Sequence, residues 1–160
     1  ESWRNDVKEE SVTIHAGMSE SEIDARLKKE IADVPGLDGV SNHQGSKSTE
    51  NKALMAAIFR CLNKRKLFFF DSLTSPRSVC REVAAELGTR YARRDIFIDH
   101  VNDTASIEKQ FVLLRKMAFA RGKAIAICHD RKTTIAVLAR VMPGMAKEGI
   151  EFVKLSDLVK

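Results

Sequence analysis

The apolar run LFFFD, Leu67 to Asp71, constrains the fold more than any other stretch of the chain. Four consecutive apolar residues match a strand that is buried on both faces, as strands of parallel sheets are. The preceding segment has Leu54, Ile58 and Leu62 at four-residue spacing, which is typical of one face of a helix. A helix followed by a buried strand predicts a parallel sheet covered by helices.

The same alternation continues along the chain. Strand-like segments lie at residues 39–42, 67–71 and 123–130, and residues 90–99 contain one or two short strands. Helical segments lie at 18–34, 48–66, 75–88, 103–122 and 131–149, and residues 150–160 are expected to form a last strand and a short helical tail. Ser19 and Glu22 predict a capping box at the first helix, and Pro143 predicts an interruption in the last. The pattern indicates the parallel α/β class, either an open doubly wound sheet or part of a (β/α) barrel, since an eight-fold barrel typically needs ~250 residues.

Composition excludes several other classes of protein. With 160 residues, 44% of them hydrophobic and 31% charged, the chain is expected to form one globular domain over residues 1–160, with 1–11 flexible. No apolar run is long enough for a membrane span. The net charge of +5 comes from scattered basic residues interleaved with 22 acidic ones, so no nucleic-acid partner is expected. Cys61, Cys80 and Cys128 lack CxxC spacing and are interpreted as packing residues.

Polar side chains stand at the ends of the predicted strands. They are the pairs Asn42-His43, Asp71-Ser72, Arg94-Asp95 and His129-Asp130. Because active sites of parallel α/β folds lie at the carboxyl ends of the strands, these residues could form a metal or acid–base site. Each also has a structural alternative, since histidines and aspartates cap helices and form turns after strands.

Metal-ligand spacing around His43 is incomplete. One helical turn further on, where HxxxH would place a second ligand, stands Lys47. A catalytic zinc usually needs three protein ligands, so His43 by itself would supply only part of the ligand set of a zinc site. His15 and His100 are interpreted as surface residues, and Asp99, like Asp95, is interpreted as an edge charge on a strand.

Four segments in order, GVSNHQGSKST, LFFFDSLTSPRSV, ARRDIFID and AIAICHD, resemble the divergent polysaccharide deacetylase family. That family is a distant branch of the carbohydrate esterase family 4 fold. The resemblance implies a deformed (β/α) barrel of the polysaccharide deacetylase type. It also implies that the first strands, with an Asp-Asp pair and a further histidine, lie before Glu1 and are absent from this sequence.

The resemblance also implies roles for individual residues. His129 would be the general acid, and Asp71 and the Arg94-Asp95 pair would orient the catalytic groups. His43 would be a metal ligand, with Asn42, Ser46 and Arg94 in contact with substrate.

The implied activity is metal-dependent removal of acetyl groups from an N-acetylated cell-envelope polysaccharide. The cofactor would be a divalent metal, expected to be zinc, whose remaining ligands lie upstream of residue 1. Family habit implies a periplasmic or cell-envelope location. The alternative is a non-catalytic relative that binds glycan or protein through the same cleft.

Overall fold

Helices and short parallel strands alternate along the chain in the computed structural model, which describes residues 1–3 and 12–159. The helices are α1 (Glu20–Ala32), α2 (Lys52–Lys64), α3 (Cys80–Leu87), α4 (Thr104–Arg121), α5 (Lys132–Lys147) and α6 (Leu155–Leu158), with a 3₁₀ turn at Ser48–Glu50 before α2. The strands are β1 (Gly39–Ser41), β2 (Phe68–Asp71), β3 (Tyr91–Arg93), β4 (Ile96–Phe97) and β5 (Ala126–Ile127). The mixed α/β class expected from the sequence is confirmed.

The described strands form two parallel sheets, one with the order β1-β2-β3 and one that pairs β4 with β5. These two sheets do not show a closed barrel, and the deacetylase-type barrel stays a prediction. No helix in the described part of the chain has both the length and the apolar character that crossing a bilayer requires.

Two compact units divide the chain, Glu1–Arg93 with Val159–Lys160 and Arg94–Leu158. The single domain expected from the sequence stays a prediction, and each unit is described by itself. Most of the segment expected to be flexible, residues 4–11, lies outside the described residues. Glu1 is described, and its carbonyl oxygen accepts hydrogen bonds from the backbone N–H groups of Lys47 and Ser48 at 3.2 Å each.

The core of the first unit is built around β2, whose four residues are all buried, as the apolar run predicts. The ring of Phe69 packs against that of Phe59 on α2, with centroids 5.0 Å apart. At the start of α1 the predicted capping box is confirmed, because Ser19 and Glu22 exchange hydrogen bonds between side chain and backbone. The helices thus cover the sheet with the faces that the sequence marks as apolar.

The second unit has a smaller core beneath β4 and β5. Its buried apolar residues are Ile96, Ile98, Ile107, Phe111, Val137 and Met145. They come from β4 and the residue after it, from α4 and from α5. The two helices therefore pack on the short sheet and set the position of the loops that follow its strands.

Three sequence expectations about boundaries are wrong. Helix α3 begins at Cys80 rather than near Pro76, because Ser75 and Ser78 side chains accept hydrogen bonds from backbone N–H groups two residues on and hold this segment in turns. Helix α5 continues through Pro143. Residues 150–154 form no strand, since they pair with none of the described strands.

Gly39 tolerates no side chain in the first sheet. A β-carbon built on it would lie 2.4 Å from Cδ2 of Phe68, a buried ring that cannot move aside freely. We expect Gly39→Ala to lower the free energy of unfolding by about 1–3 kcal/mol through overpacking, measured by urea unfolding. The matched control is Gly144→Ala in α5, where a β-carbon meets no atom within 4 Å and alanine should stabilise the helix by up to about 1 kcal/mol. Equal effects of the two substitutions would contradict this account.

Candidate functional site

The register of the second sheet brings Asp99 and His129 together. Strands β4 and β5 are parallel with Phe97 opposite Ile127, so residues two positions beyond each are also neighbours. The backbone N–H of Ile98 donates to the carbonyl of Ile127 at 2.9 Å and continues the pairing past the strand ends. Asp99 and His129 therefore leave the carboxyl ends of adjacent strands side by side, at the edge where active sites of parallel sheets lie.

Asp99 and His129 form a pair in which the carboxylate is buried and the imidazole is partly exposed. The carboxylate of Asp99 is completely buried, whereas the side chain of His129 is 45% exposed. Nδ1 of His129 lies 2.9 Å from Oδ1 of Asp99, and the backbone N–H of His129 donates to both carboxylate oxygens at 3.0 and 3.1 Å. The hydroxyl of Thr134, also fully buried, donates to Oδ2 at 2.8 Å. Nε2 is thus the ring nitrogen of His129 left for another partner.

Hydrogen bonds keep Asp99 ionised despite its burial. Burial by itself raises the pKa of a carboxyl group, because it penalises the charged form. The hydrogen bonds from Thr134 and from the side chain and backbone of His129 outweigh burial and hold the pKa of Asp99 below its ordinary value. An ionised Asp99 accepts the hydrogen of Nδ1, so Nε2 can release or accept a proton. This arrangement suits general acid–base chemistry.

The stabilising contribution of Asp99 should be lost in acid. Because its pKa is lowered in the folded state, the unfolded chain takes up the proton first as the pH falls below about 3.8, and the free energy of unfolding then decreases. Above that value the contribution is complete. We expect the difference in unfolding free energy between the parent protein and Asp99→Asn to be smaller at pH 3 than at pH 7, as measured by urea unfolding. A difference that is the same or larger at pH 3 would contradict a lowered pKa.

Arg94 and Asp95 lie at the other end of β4. The carboxylate of Asp95 accepts hydrogen bonds from the backbone N–H of Ile125 at 2.8 Å and from Arg121 at 3.3 Å. The guanidinium carbon of Arg94 lies 5.2 Å from the centroid of the Phe97 ring, and that ring lies 5.2 Å from the imidazole of His129. Among the described residues, the acid that contacts His129 is thus Asp99, and the described ring contact of Arg94 is with Phe97.

Asn42 joins two loops of the first unit. Its Oδ1 accepts the backbone N–H of Ser72 at 2.8 Å, and its amide nitrogen donates to the carbonyl of Gln44 at 2.9 Å and to the hydroxyl of Thr74 at 3.3 Å. The hydroxyl of Ser72 donates to the carbonyl of Asn42 at 3.0 Å. These contacts tie the loop after β1 to the loop after β2, so the observed partners of Asn42 are all structural.

The carboxylate of Asp71 is fully buried and held by three donors. Oδ1 accepts the backbone N–H of Leu73 at 2.7 Å, and Oδ2 accepts the hydroxyls of Ser78 at 2.7 Å and Tyr91 at 3.2 Å. Burial first, and then the charge of Asp71, raise the pKa of Tyr91, so the phenol keeps its proton and remains a donor. Asp71 therefore joins β2 to the loop before α3 and to β3.

His43 is exposed after β1 and borders a cavity of about 490 Å³ within the first unit. Lys47 forms an ion pair with Glu1. The hydroxyl of Ser46 accepts the backbone N–H of Trp3 at 3.0 Å.

Within the described residues no group of three or more His, Cys, Asp or Glu is placed to hold a metal ion. The described residues therefore do not by themselves fit a metal centre, and His43 is a single candidate ligand.

Sequence reasoning missed Asp99 and Thr134. A signal for Asp99 was present, because each of the apolar runs IFI and AIC is followed directly by a titratable residue, Asp99 after the first and His129 after the second. Equal positions after two neighbouring parallel strands place such residues next to each other. Thr134 left no comparable signal, since a threonine in the first turn of a helix is common for other reasons.

A family model described as "Divergent polysaccharide deacetylase" matches residues 1–159. Two relatives are an uncharacterized protein of Haemophilus influenzae, 36% identical over 152 residues (95% of this chain, 54% of the relative), and the uncharacterized protein YibQ of Escherichia coli, 31% identical over 150 residues (94% and 47%). The crystal structure of the uncharacterized protein ATU2773 from Agrobacterium tumefaciens superposes with a TM-score of 0.94 at 24% identity, covering 99% of this chain and 65% of that one. That likeness shows the fold alone. The chain spans about half the length of the two relatives.

Proposed function

Because the chain belongs to the divergent polysaccharide deacetylase family, we propose that it is part of a hydrolase that removes acetyl groups from N-acetylated cell-envelope polysaccharide. The observation that carries this proposal is the half-exposed imidazole of His129, whose Nδ1 lies within hydrogen-bond distance of the buried carboxylate of Asp99. A periplasmic or cell-envelope location and a polysaccharide substrate belong to the same proposal.

His129 would act as the general acid of the hydrolysis. Removal of an acetyl group adds water across the amide C–N bond and releases acetate and a free amine. The amine nitrogen must gain a proton as the bond breaks, because an amide anion is a very poor leaving group. Protonated His129 can donate that proton from Nε2, while Asp99 holds the ring through Nδ1 and stabilises the imidazolium before the transfer.

A divalent metal, zinc by family resemblance, belongs to the proposal, and when bound such an ion polarises the acetyl carbonyl. His43 is the ligand that this chain would offer. Since the described residues do not form a metal centre, the remaining ligands would come from outside them.

A second candidate function is glycan or protein binding without catalysis. The observation that favours it is Lys47, which stands one turn after His43 and is paired with Glu1 instead of contributing a metal ligand. The buried Asp71, whose described partners are all internal, points the same way.

Acetate release separates the two functions. We would incubate the intact protein with chitooligosaccharides and with peptidoglycan, with and without added zinc, and measure free acetate and bound metal. For a deacetylase, His129→Ala should retain its metal content and release acetate about 10²–10⁴-fold more slowly, and His43→Ala should lose metal. Failure of the parent protein to release acetate from either glycan, together with measurable glycan binding, would favour the second function.

A further inference from the structure

We infer that Thr134 is a positioning residue whose buried hydroxyl orients the Asp99 carboxylate and so determines which nitrogen of His129 carries the hydrogen. The geometry of the second unit carries this inference. It depends on the proposed function only for its consequence in catalysis.

Among the described residues, Thr134 supplies the hydrogen bond to the Asp99 carboxylate that does not come from His129. The other described hydrogen bonds to the two carboxylate oxygens come from His129 itself, through its backbone N–H and Nδ1. A carboxylate held only by the residue that it orients could rotate together with that residue. The Thr134 hydroxyl, 2.8 Å from Oδ2, ties the carboxylate to α5 instead.

Helix α5 carries the donor of this hydrogen bond. Thr134 is the third residue of the helix and is completely buried beside the core of the second unit. Arg131, just before the helix, donates from Nη1 to the backbone carbonyl of Asp99 at 2.9 Å. Arg131 thus fixes the strand end, and the carboxylate oxygens are left to Thr134 and His129.

The orientation of Asp99 determines the tautomer of His129. When a carboxylate oxygen faces Nδ1, the neutral imidazole keeps its hydrogen on Nδ1 and leaves Nε2 with a free lone pair. If the carboxylate turns away, the hydrogen can move to Nε2. Donation from Nε2 of the imidazolium leaves the hydrogen on Nδ1, so a carboxylate that has turned away no longer stabilises the tautomer that the proposed reaction produces.

The test compares hydroxyl and non-hydroxyl residues at position 134 in the intact protein. Thr134→Val keeps the shape and removes the hydroxyl, and Thr134→Ala and Thr134→Ser differ from each other by the hydroxyl alone. Nitrogen-15 NMR, recorded at a pH high enough for the imidazole to be neutral, reports which nitrogen of His129 carries the hydrogen. The matched control is Thr133→Val, which removes a hydroxyl one residue earlier on the same helix.

We expect the Nδ1–H tautomer in the parent, Thr134→Ser and Thr133→Val proteins, and a mixture with the Nε2–H tautomer in Thr134→Val and Thr134→Ala. For a catalytic protein, kcat for acetate release should fall roughly tenfold in the last two, with KM little changed. An unchanged tautomer in both, or a serine variant that behaves like alanine, would overturn the inference. A tautomer change in a protein that releases no acetate would support the positioning role and reject the proposed function.

Discussion

Replacing Asp99 by asparagine is expected to lower kcat for acetate release by about 10²–10⁴-fold while the protein stays folded. The backbone N–H of His129 and the hydroxyl of Thr134 both donate to Oδ2 of Asp99, and an asparagine carbonyl oxygen in that position can accept both hydrogen bonds. The asparagine NH₂ group would then face Nδ1 of His129. Because NH₂ is a donor, it favours the tautomer with hydrogen on Nε2 and no longer stabilises the imidazolium.

Asp95→Asn is the matched comparison for Asp99→Asn. The family resemblance assigns the orienting role to the Arg94-Asp95 pair, whereas the geometry assigns it to Asp99, since Asp95 binds Arg121 and the backbone of Ile125. Steady-state kinetics of both variants on the same acetylated glycan decide between the assignments. A large loss of kcat in Asp95→Asn with nearly normal kinetics in Asp99→Asn would reject the geometric assignment.

Replacing Asp71 by alanine is expected to lower the free energy of unfolding by about 3 kcal/mol or more. The substitution leaves the backbone N–H of Leu73 and the hydroxyls of Ser78 and Tyr91 without their acceptor in a buried region. Each unsatisfied donor costs about 1–3 kcal/mol, although movement of Ser78 can recover part of the loss. Urea unfolding monitored by circular dichroism measures the effect.

Tyr91→Phe is the matched control for Asp71. It removes one of the three donors and leaves the carboxylate with the other two, so we expect a loss of only about 1 kcal/mol. If Asp71→Ala instead cost less than Tyr91→Phe and abolished acetate release, the carboxylate would act on the reaction rather than on the fold. That result would restore the role that the family resemblance assigns to Asp71.

Local signals in the sequence predicted most elements of the fold. The run LFFFD predicted a buried strand because apolar side chains on both faces must be covered, and β2 is buried throughout. Ser19 and Glu22 predicted the start of α1 because their side chains satisfy backbone N–H groups within the same turn. Predictions failed where side chains compete with the helix, as Ser75 and Ser78 do before α3.

By itself the sequence determined the α/β class, the buried strand β2, the start of α1 and the family, since each depends on neighbouring residues or on motifs in order. The partner of His129 was decided only by the tertiary structure. Asp95 and Asp99 flank the same apolar run, and although Asp99 follows its run as His129 follows AIC, the two residues meet only if the runs pair in that register. The register of β4 against β5 places Asp99 beside His129, 30 residues further along the chain, and the packing of α5 adds the hydroxyl of Thr134. Strand register and helix packing depend on interactions between distant segments of the chain, so a local sequence pattern does not determine them.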